Sequence, residues 1–283
     1  MRSIIFIGLL FGVMQISAQE KIEIHQDKRA INKEMQPAFV VDIPLTTSHK
    51  ALKLWERTLV SKPLLYKFRR LPKMEKEAND KWVMHNVVVD KICPDSLDIY
   101  TRIIERNGKV TFAALFAHNG NFIGNEQNQT ITKNTCSYVR EYAIETYKQA
   151  ALEEQEKLKK ELNKMTTECA ICENENKKME RRIEECKYDL TRLEKELTET
   201  KEILRNASIK IGETTAPLSK RRKKEFKKNE KKTNKKIKRV RNAIERYATT
   251  FDKNKTRQTE LYSLIELKKM EIQKVTAKLN NIN

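Results

Sequence analysis

The sequence predicts an α+β protein: a small antiparallel-sheet head domain followed by a long antiparallel α-helical coiled-coil hairpin. Three observations carry that expectation. Between Glu126 and Ile211 there is no glycine or proline, and an apolar seam runs through most of the stretch at heptad spacing. Gly212 and Pro217 interrupt it, and a second Gly- and Pro-free stretch, also seamed, runs from Leu218 to Asn283. Ahead of both, residues 19–145 read as strand, helix and then several strands. A doubly wound parallel sheet would need a helix after each strand, so this order points to an antiparallel sheet.

The first element is a targeting segment. Arg2 is followed by the apolar run Ile4–Met14, too short to cross a bilayer, and Ala18 puts a small residue before a cut at Gln19. Residues 1–18 are therefore expected to be a signal peptide, and the mature chain periplasmic or secreted. The five cysteines are an odd number, and too few for a disulfide scaffold.

In the head, Ala38–Ile43 is an apolar strand ended by Pro44. Thr46, Thr47 and Ser48 offer N-caps for a helix with Leu52, Leu54, Trp55 and Leu59 as its buried stripe. Leu64–Phe68 and Val83–Val89 read as strands, the second broken by His85 and Asn86. Leu97–Glu105 and Val110–Phe116 flank Asn107-Gly108, a dipeptide suited to positive φ at both central positions of a type I′ turn, so a hairpin is expected there. A helix then begins near Thr130–Asn134 and runs on through Tyr138, Tyr142 and Ile144.

The first coiled-coil helix is expected over 146–211, a turn over 212–217, and a second, basic coiled-coil helix over 218–283. With Leu162 at position a, the first arm has Cys169, Asn176, Ile183, Leu190, Leu197, Leu204 and Ile211 at a. Met165, Cys172, Met179, Cys186, Leu193, Thr200 and Ala207 fall at d. The second arm has Ile237, Ile244, Phe251, Gln258, Ile265, Ile272 and Leu279 at a, and Val240, Tyr247, Asn254, Leu261, Lys268, Val275 and Ile282 at d. A parallel dimer of the first arm would set Glu168 against Glu173, Glu175 against Glu180, Arg182 against Lys187 and Asp189 against Glu194, each repulsive. A fold-back centred near residue 215 does better. It sets Leu193 against Ile237, Met165 against Ile265, and Asn176 against Asn254, a polar pair that would fix register. Its flanks are mixed: Glu175 with Arg257, Glu173 with Lys255 and Glu196 with Lys236 attract, while Lys187 and Arg241 repel.

The net charge of +19 is concentrated. Lys220 to Arg241 carries fourteen Lys or Arg against Glu225 and Glu230. Lys220, Arg221, Arg222, Lys223, Lys224, Lys227, Lys228, Lys231 and Lys232 are the candidate anion-binding residues. Phe226, the one aromatic residue within the segment, is a seam position, and an export signal points away from the nucleoid, so nucleic acid fits poorly. An anionic lipid surface or envelope polymer suits better; a merely solvated lysine-rich face is the plain alternative.

Catalytic chemistry finds little purchase. Cys169-Ala170-Ile171-Cys172 has the CxxC spacing, but it lies mid-helix between Glu168 and Glu173, where nothing favours a thiolate. Cys169, Cys172 and Cys186 read as small seam residues, with a disulfide or zinc as lesser alternatives. The four histidines are scattered, Asp42 and Asp90 end apolar runs, and no nucleophile elbow, P-loop or dinucleotide glycine pattern is present, so no cofactor is called for.

The signal ending Ile16-Ser17-Ala18-Gln19-Glu20, the run Ala38–Pro44, the Trp55 helix and the charged coiled coil together resemble exported proteins of Bacteroidetes-type bacteria with a small α/β head and a coiled-coil stalk. The resemblance implies an envelope setting and brings no active site with it. The expected role is a structural or interaction protein whose stalk is a spacer and a surface for a protein partner, with an anionic envelope polymer or membrane surface as the alternative partner and an enzyme in the head as a second alternative.

Overall fold

The computed structural model describes residues 22–31, 34–60, 72–78, 80–124, 129–209 and 220–282, with the backbone alone at 207–209 and 220. The expected signal peptide, the Leu64–Phe68 strand and the 212–217 turn lie outside the described residues. The chain forms an α+β head and a helical hairpin, and divides into two compact units: residues up to Lys159 with Glu271–Asn283, and Lys160–Met270.

In the head, strands β1 (His25–Ile31), β2 (Glu34–Pro44), β3 (Glu75–Ala78), β4 (Lys81–Val88), β5 (Ser96–Arg106), β6 (Lys109–His118) and β7 (Asn121–Phe122) make one antiparallel sheet. Its order is β1-β2-β6-β5-β4-β3, with β7 added to β6. Period-two alternation sorts the side chains by face. Phe39, Val41 and Ile43 of β2, Phe112, Ala114 and Phe116 of β6, and Leu97, Ile99 and Ile103 of β5 enter the main core. Ala38, Val40, Ala113 and Leu115 form a smaller cluster of their own, with Tyr100 and Phe122 against it.

The expected hairpin is present. Asn107 and Gly108 have φ of 50° and 72°, and the strands they join pair from Arg106↔Lys109 to Asp98↔Ala117. The break expected at His85-Asn86 is a bulge: Asn86 adopts φ 56°, the ladder shifts between Met84 and Val87, and the Asn86 N–H donates to Asp98 Oδ1 at 3.1 Å. Gly124 has φ 124°, and a Cβ there would stand 2.8 Å from Pro37 Cβ, so close packing as well as conformation requires glycine.

Helix α1 (Ser48–Leu59) is capped by Thr47, whose Oγ1 accepts from the Lys50 N–H. Ala51, Trp55 and Leu59 are fully buried, with Leu52 and Leu54 partly so. The Trp55 ring meets Phe112, Phe116, Tyr138 and Tyr142, and its Nε1–H donates to the buried Thr101 Oγ1 at 2.9 Å. Truncating such a residue to alanine costs about 3–5 kcal/mol. The Tyr142 hydroxyl donates to Ala51 O at 2.8 Å and the Tyr138 hydroxyl to Thr58 O at 3.2 Å, so helix α2 is tied to α1 by polar as well as apolar contacts.

Helix α2 (Gln129–Ile209) is continuous, and its first turns belong to the head. Tyr138, Val139, Tyr142, Ala143, Tyr147 and Ala151 all enter the head core, as does Ile282 beyond α3 (Lys220–Asn281). The head is thus larger than the 19–145 expected. The compact unit runs to Lys159, because residues of α2 as far as Ala151 still pack in the head core.

In the hairpin unit, every predicted a and d position from Leu162 to Leu204 and from Ile237 to Lys268 is buried or half-buried. Inter-arm bonds run the length of the unit: Lys268 with Glu161 at 3.0 Å, Arg257 with Glu168 at 2.8 Å, Tyr262 with Glu173 at 2.5 Å and Arg241 with Glu194 at 2.7 Å. All lie within about five residues of mirror positions around residue 215, so the fold-back is closed inside one chain. The flanking pairs differ from those expected. Arg257 reaches Glu168 rather than Glu175, placing Nε and Nη2 on one carboxylate oxygen. Glu173 takes the Tyr262 hydroxyl rather than Lys255, and Arg241 finds Glu194 instead of facing Lys187. Long side chains reach a further turn along the partner arm, which Cα-level pairing does not capture.

Two measurements check these features. Cysteines replacing Leu190 and Val240 should be joined within one chain by a short thiol crosslinker mapped by mass spectrometry; bridges found only between chains would contradict intrachain closure. Glu105 Oε2 accepts from the Ser48 N–H at 2.8 Å and Oγ at 3.0 Å, which holds its carboxyl below the ordinary 4.5. A depressed acid stabilises the fold above its unfolded pKa and loses that contribution as pH falls through the folded value. Glu105→Gln should therefore be less stable than the parent at pH 7, with the gap closing as pH falls below 4.5; a gap constant with pH would show that the carboxylate charge is not what caps α1.

Candidate functional site: the basic length of the hairpin

Helix α3 forms across Lys220–Asn281 because it is free of Gly and Pro and rich in good helix formers. Its first turns are nonetheless electrostatically costly. Positive charge at an N-terminus opposes the macrodipole, and no acid occupies the first turn. Lysines at i,i+4 spacing, such as Lys224 with Lys228 and Lys231 with Lys235, repel by a few tenths of a kcal/mol each. Cohesion comes from the seam: Ile237 and Leu193 are buried, while Phe226, Thr233 and Val240 are half-buried.

Of the candidate anion-binding residues, Arg221, Arg222, Lys224, Lys227, Lys228, Lys231 and Lys232 are exposed, and Lys223 is half-buried at a seam position. The Lys220 side chain lies outside the described residues. Arg221 pairs with Glu225 at 3.9 Å and Arg241 with Glu194 at 2.7 Å, and Arg222 also has a partner. Among the described residues, the other ten basic side chains between Lys223 and Arg239 have no carboxylate partner. The fold lines them up along one helix; it does not gather them into a pocket.

At the inner end of this length the sequence reading missed a feature. Arg239, Asn242, Ala243, Arg246 and Tyr247 line a groove of about 350 Å³, and the Arg182 guanidinium of the other arm lies 5.6 Å from the Tyr247 ring centroid. The heptad spacing of Arg239 and Arg246 was visible in the sequence. What the sequence did not show is that Tyr247 joins them in one groove while its ring takes the Arg182 guanidinium of the other arm.

The two register asparagines are not paired with each other. Asn176 is buried; its Nδ2 donates to Gln258 Oε1 at 3.3 Å, and its Oδ1 has no partner. Asn254 Nδ2 donates to Glu175 Oε2 at 3.0 Å. Gln258, one turn beyond Asn254, is long enough to take the core contact, and that frees Asn254 to turn outward.

The other candidates resolve as structure. All five cysteines are free thiols. Cys169 and Cys172 pack with Leu261 and Ile265, and burial followed by the Glu175 and Glu168 charges pushes the Cys172 thiol up, away from thiolate chemistry. Cys93 is likewise raised by burial. Two histidines meet carboxylates that sequence separation concealed: His85 Nδ1 lies 3.1 Å from Asp98 and His118 Nε2 lies 3.2 Å from Asp95, both pairs largely exposed. Asp42 accepts from Thr111 Oγ1 at 2.7 Å within the sheet, whereas Asp90 sits in the connection after β4. No group of three or more His, Cys, Asp or Glu among the described residues is placed to hold a metal ion.

In the head, residues from both edges of the sheet, Arg29 and Ile31 of β1 and Glu77 of β3, line a common cleft with Trp82, Tyr100 and Arg102. The sheet is therefore coiled enough to bring its edges toward each other. The cleft holds about 50 Å³, against several hundred for a small-molecule site, and its arginines are engaged, Arg29 by Asp27 and Arg102 by Asp80. No helix among the described residues is long and apolar enough to cross a membrane. No protein-family model matches the chain, and no curated protein sequence matches it.

The unpartnered Asn176 Oδ1 yields a stability test. A buried acceptor without a donor costs about 1–3 kcal/mol, so Asn176→Leu should raise the denaturation midpoint by the equivalent of about 1 kcal/mol. A fall in stability would mean that the Asn176–Gln258 bond contributes more than the orphaned oxygen costs.

Proposed function

We propose that the protein is an exported structural and interaction protein of the bacterial cell envelope. Its helical hairpin separates tip from base and offers its outer surface to a partner. The observation that carries this reading is the intrachain closure of the seam. Each arm of the unit Lys160–Met270 spends its seam residues on the other, so what remains outward is a helical surface about 75 Å long at 1.5 Å per residue, mostly polar but with single exposed apolar side chains such as Ile171, Tyr188 and Leu267. That arrangement suits a spacer and a contact surface. The head supports the same reading through its small cleft with engaged arginines and through the Cys93 thiol, raised by burial.

Fractionation and crosslinking test it. The chain should be recovered outside the cytoplasm with a mature start near Gln19; unprocessed chain in the cytoplasm would overturn the export part. A photo-crosslinking residue replacing Tyr188, 73% exposed on the hairpin, should trap an envelope partner, whereas one replacing Val88, 38% exposed on the head, should not. The reverse pattern would move the partner surface to the head and overturn the hairpin's role.

A further inference from the structure

We infer that the hairpin binds a flexible linear polyanion, gripped at the groove of Arg239, Arg246 and Tyr247 and tracked along the lysine-rich turns of α3 that precede it. The inference rests on the proposed role of the hairpin as a partner surface and names the partner's chemistry.

Four observations point the same way. Ten of the thirteen described basic side chains from Arg221 to Arg241 have no carboxylate partner among the described residues, so their charge is not spent inside the fold. Their positions cover every outward azimuth of the helix: Lys224, Lys231 and Lys238 form one row and Lys228 and Lys235 another, with Lys227 and Lys236 nearer the seam on either side. A flat bilayer or a stiff duplex can touch one side of such a helix at a time, whereas a flexible chain can wrap and use all of them. Between Arg221 and Arg241 every outward residue is Lys, Arg, Glu or Asn, so this length has no apolar face with which to enter a bilayer.

The groove adds shape to charge. Arg182, Arg239 and Arg246 have no carboxylate partner among the described residues, and two of them line a groove of about 350 Å³ floored by Tyr247. Guanidinium forks bind a phosphate or carboxylate in a bidentate way that a lysine point charge cannot match. The groove itself is built from α3 alone, and the Arg182 guanidinium of the other arm lies over the Tyr247 ring, adding a third arginine beside it.

The test uses the mature chain and fluorescently labelled long-chain inorganic polyphosphate, titrated across a series of salt concentrations. Binding should persist near physiological salt, with log K falling linearly with log salt at roughly 0.7–0.9 per charge engaged. R239Q/R246Q should lose about tenfold or more in affinity and lower the slope by about 1.5–2, while R239K/R246K should keep the slope and still bind several-fold more weakly. K224Q/K231Q/K238Q and K227Q/K228Q/K235Q, on different sides of the helix, should each lower the slope by about 2–3. A polyuronate that binds with the same variant pattern supports the inference, and its affinity relative to polyphosphate decides between carboxylate and phosphate. No binding near physiological salt overturns the inference, as does a response from only one lysine row or stronger binding to phosphatidylglycerol vesicles. An unaffected R239K/R246K variant overturns the anchor. Loss of polyphosphate binding in a chain that still crosslinks a partner at Tyr188 overturns this inference alone and leaves the proposed function standing.

Discussion

Two long helices with an apolar stripe each must hide those stripes from water, and here each hides the other's. That single requirement organises the hairpin. The a and d positions are turned inward along both arms, and the inter-arm bonds from Lys268–Glu161 to Arg241–Glu194 follow from the same alignment. Closure also decides what faces out. Because the few apolar residues of α3 between Arg221 and Arg241 are spent on the seam, the rest of its circumference there is left to charge. The basic surface is in this sense a by-product of where the grease had to go.

The seam is not uniform, and its variation has consequences for motion. Around Cys169, Cys172, Leu261 and Ile265 it is buried and apolar. At Asn176 and Gln258 it turns polar, with one oxygen orphaned. Beyond Leu193 and Ile237 it thins to half-buried positions such as Thr200, Phe226 and Thr233, in the same turns where lysine repulsion is densest. Local opening follows low burial and weak cohesion, so the last turns of the hairpin open more readily than its base. If the proposed polyanion binds there, compliance at that end would let the surface follow its irregular course.

What the sequence revealed, and what it hid, follows from burial. The Asn107-Gly108 turn, the capped Trp55 helix and the heptad seam were all legible because each is written in residues that must be apolar, or must adopt positive φ, at a fixed spacing. Strands β1 and β3 were not, since His25–Ile31 and Glu75–Ala78 are sheet edges with mostly exposed side chains, and nothing obliges an edge to alternate. The contact boundary between head and hairpin falls later than the composition suggested because Tyr147 and Ala151, on the same unbroken helix, still enter the head core. The basic segment was plain from charge counting alone. The Arg182–Tyr247 contact beside the groove was not, because the two residues are sixty-five positions apart in the chain.

The helix that carries the charge would not hold by itself. Its lysines repel, its N-terminal end opposes the dipole, and few acids lie within reach to neutralise it. It persists because one stripe of its surface is bound to the other arm. Folding and binding are thereby assigned to different parts of the same helix: the stripe that meets the first arm specifies the structure, and the remaining circumference is free to be chosen for what it contacts. Substitutions of outward lysines should consequently touch affinity and leave the fold alone, while a change at Ile237 or Leu193 would weaken both, since these buried residues hold the charged helix against the other arm.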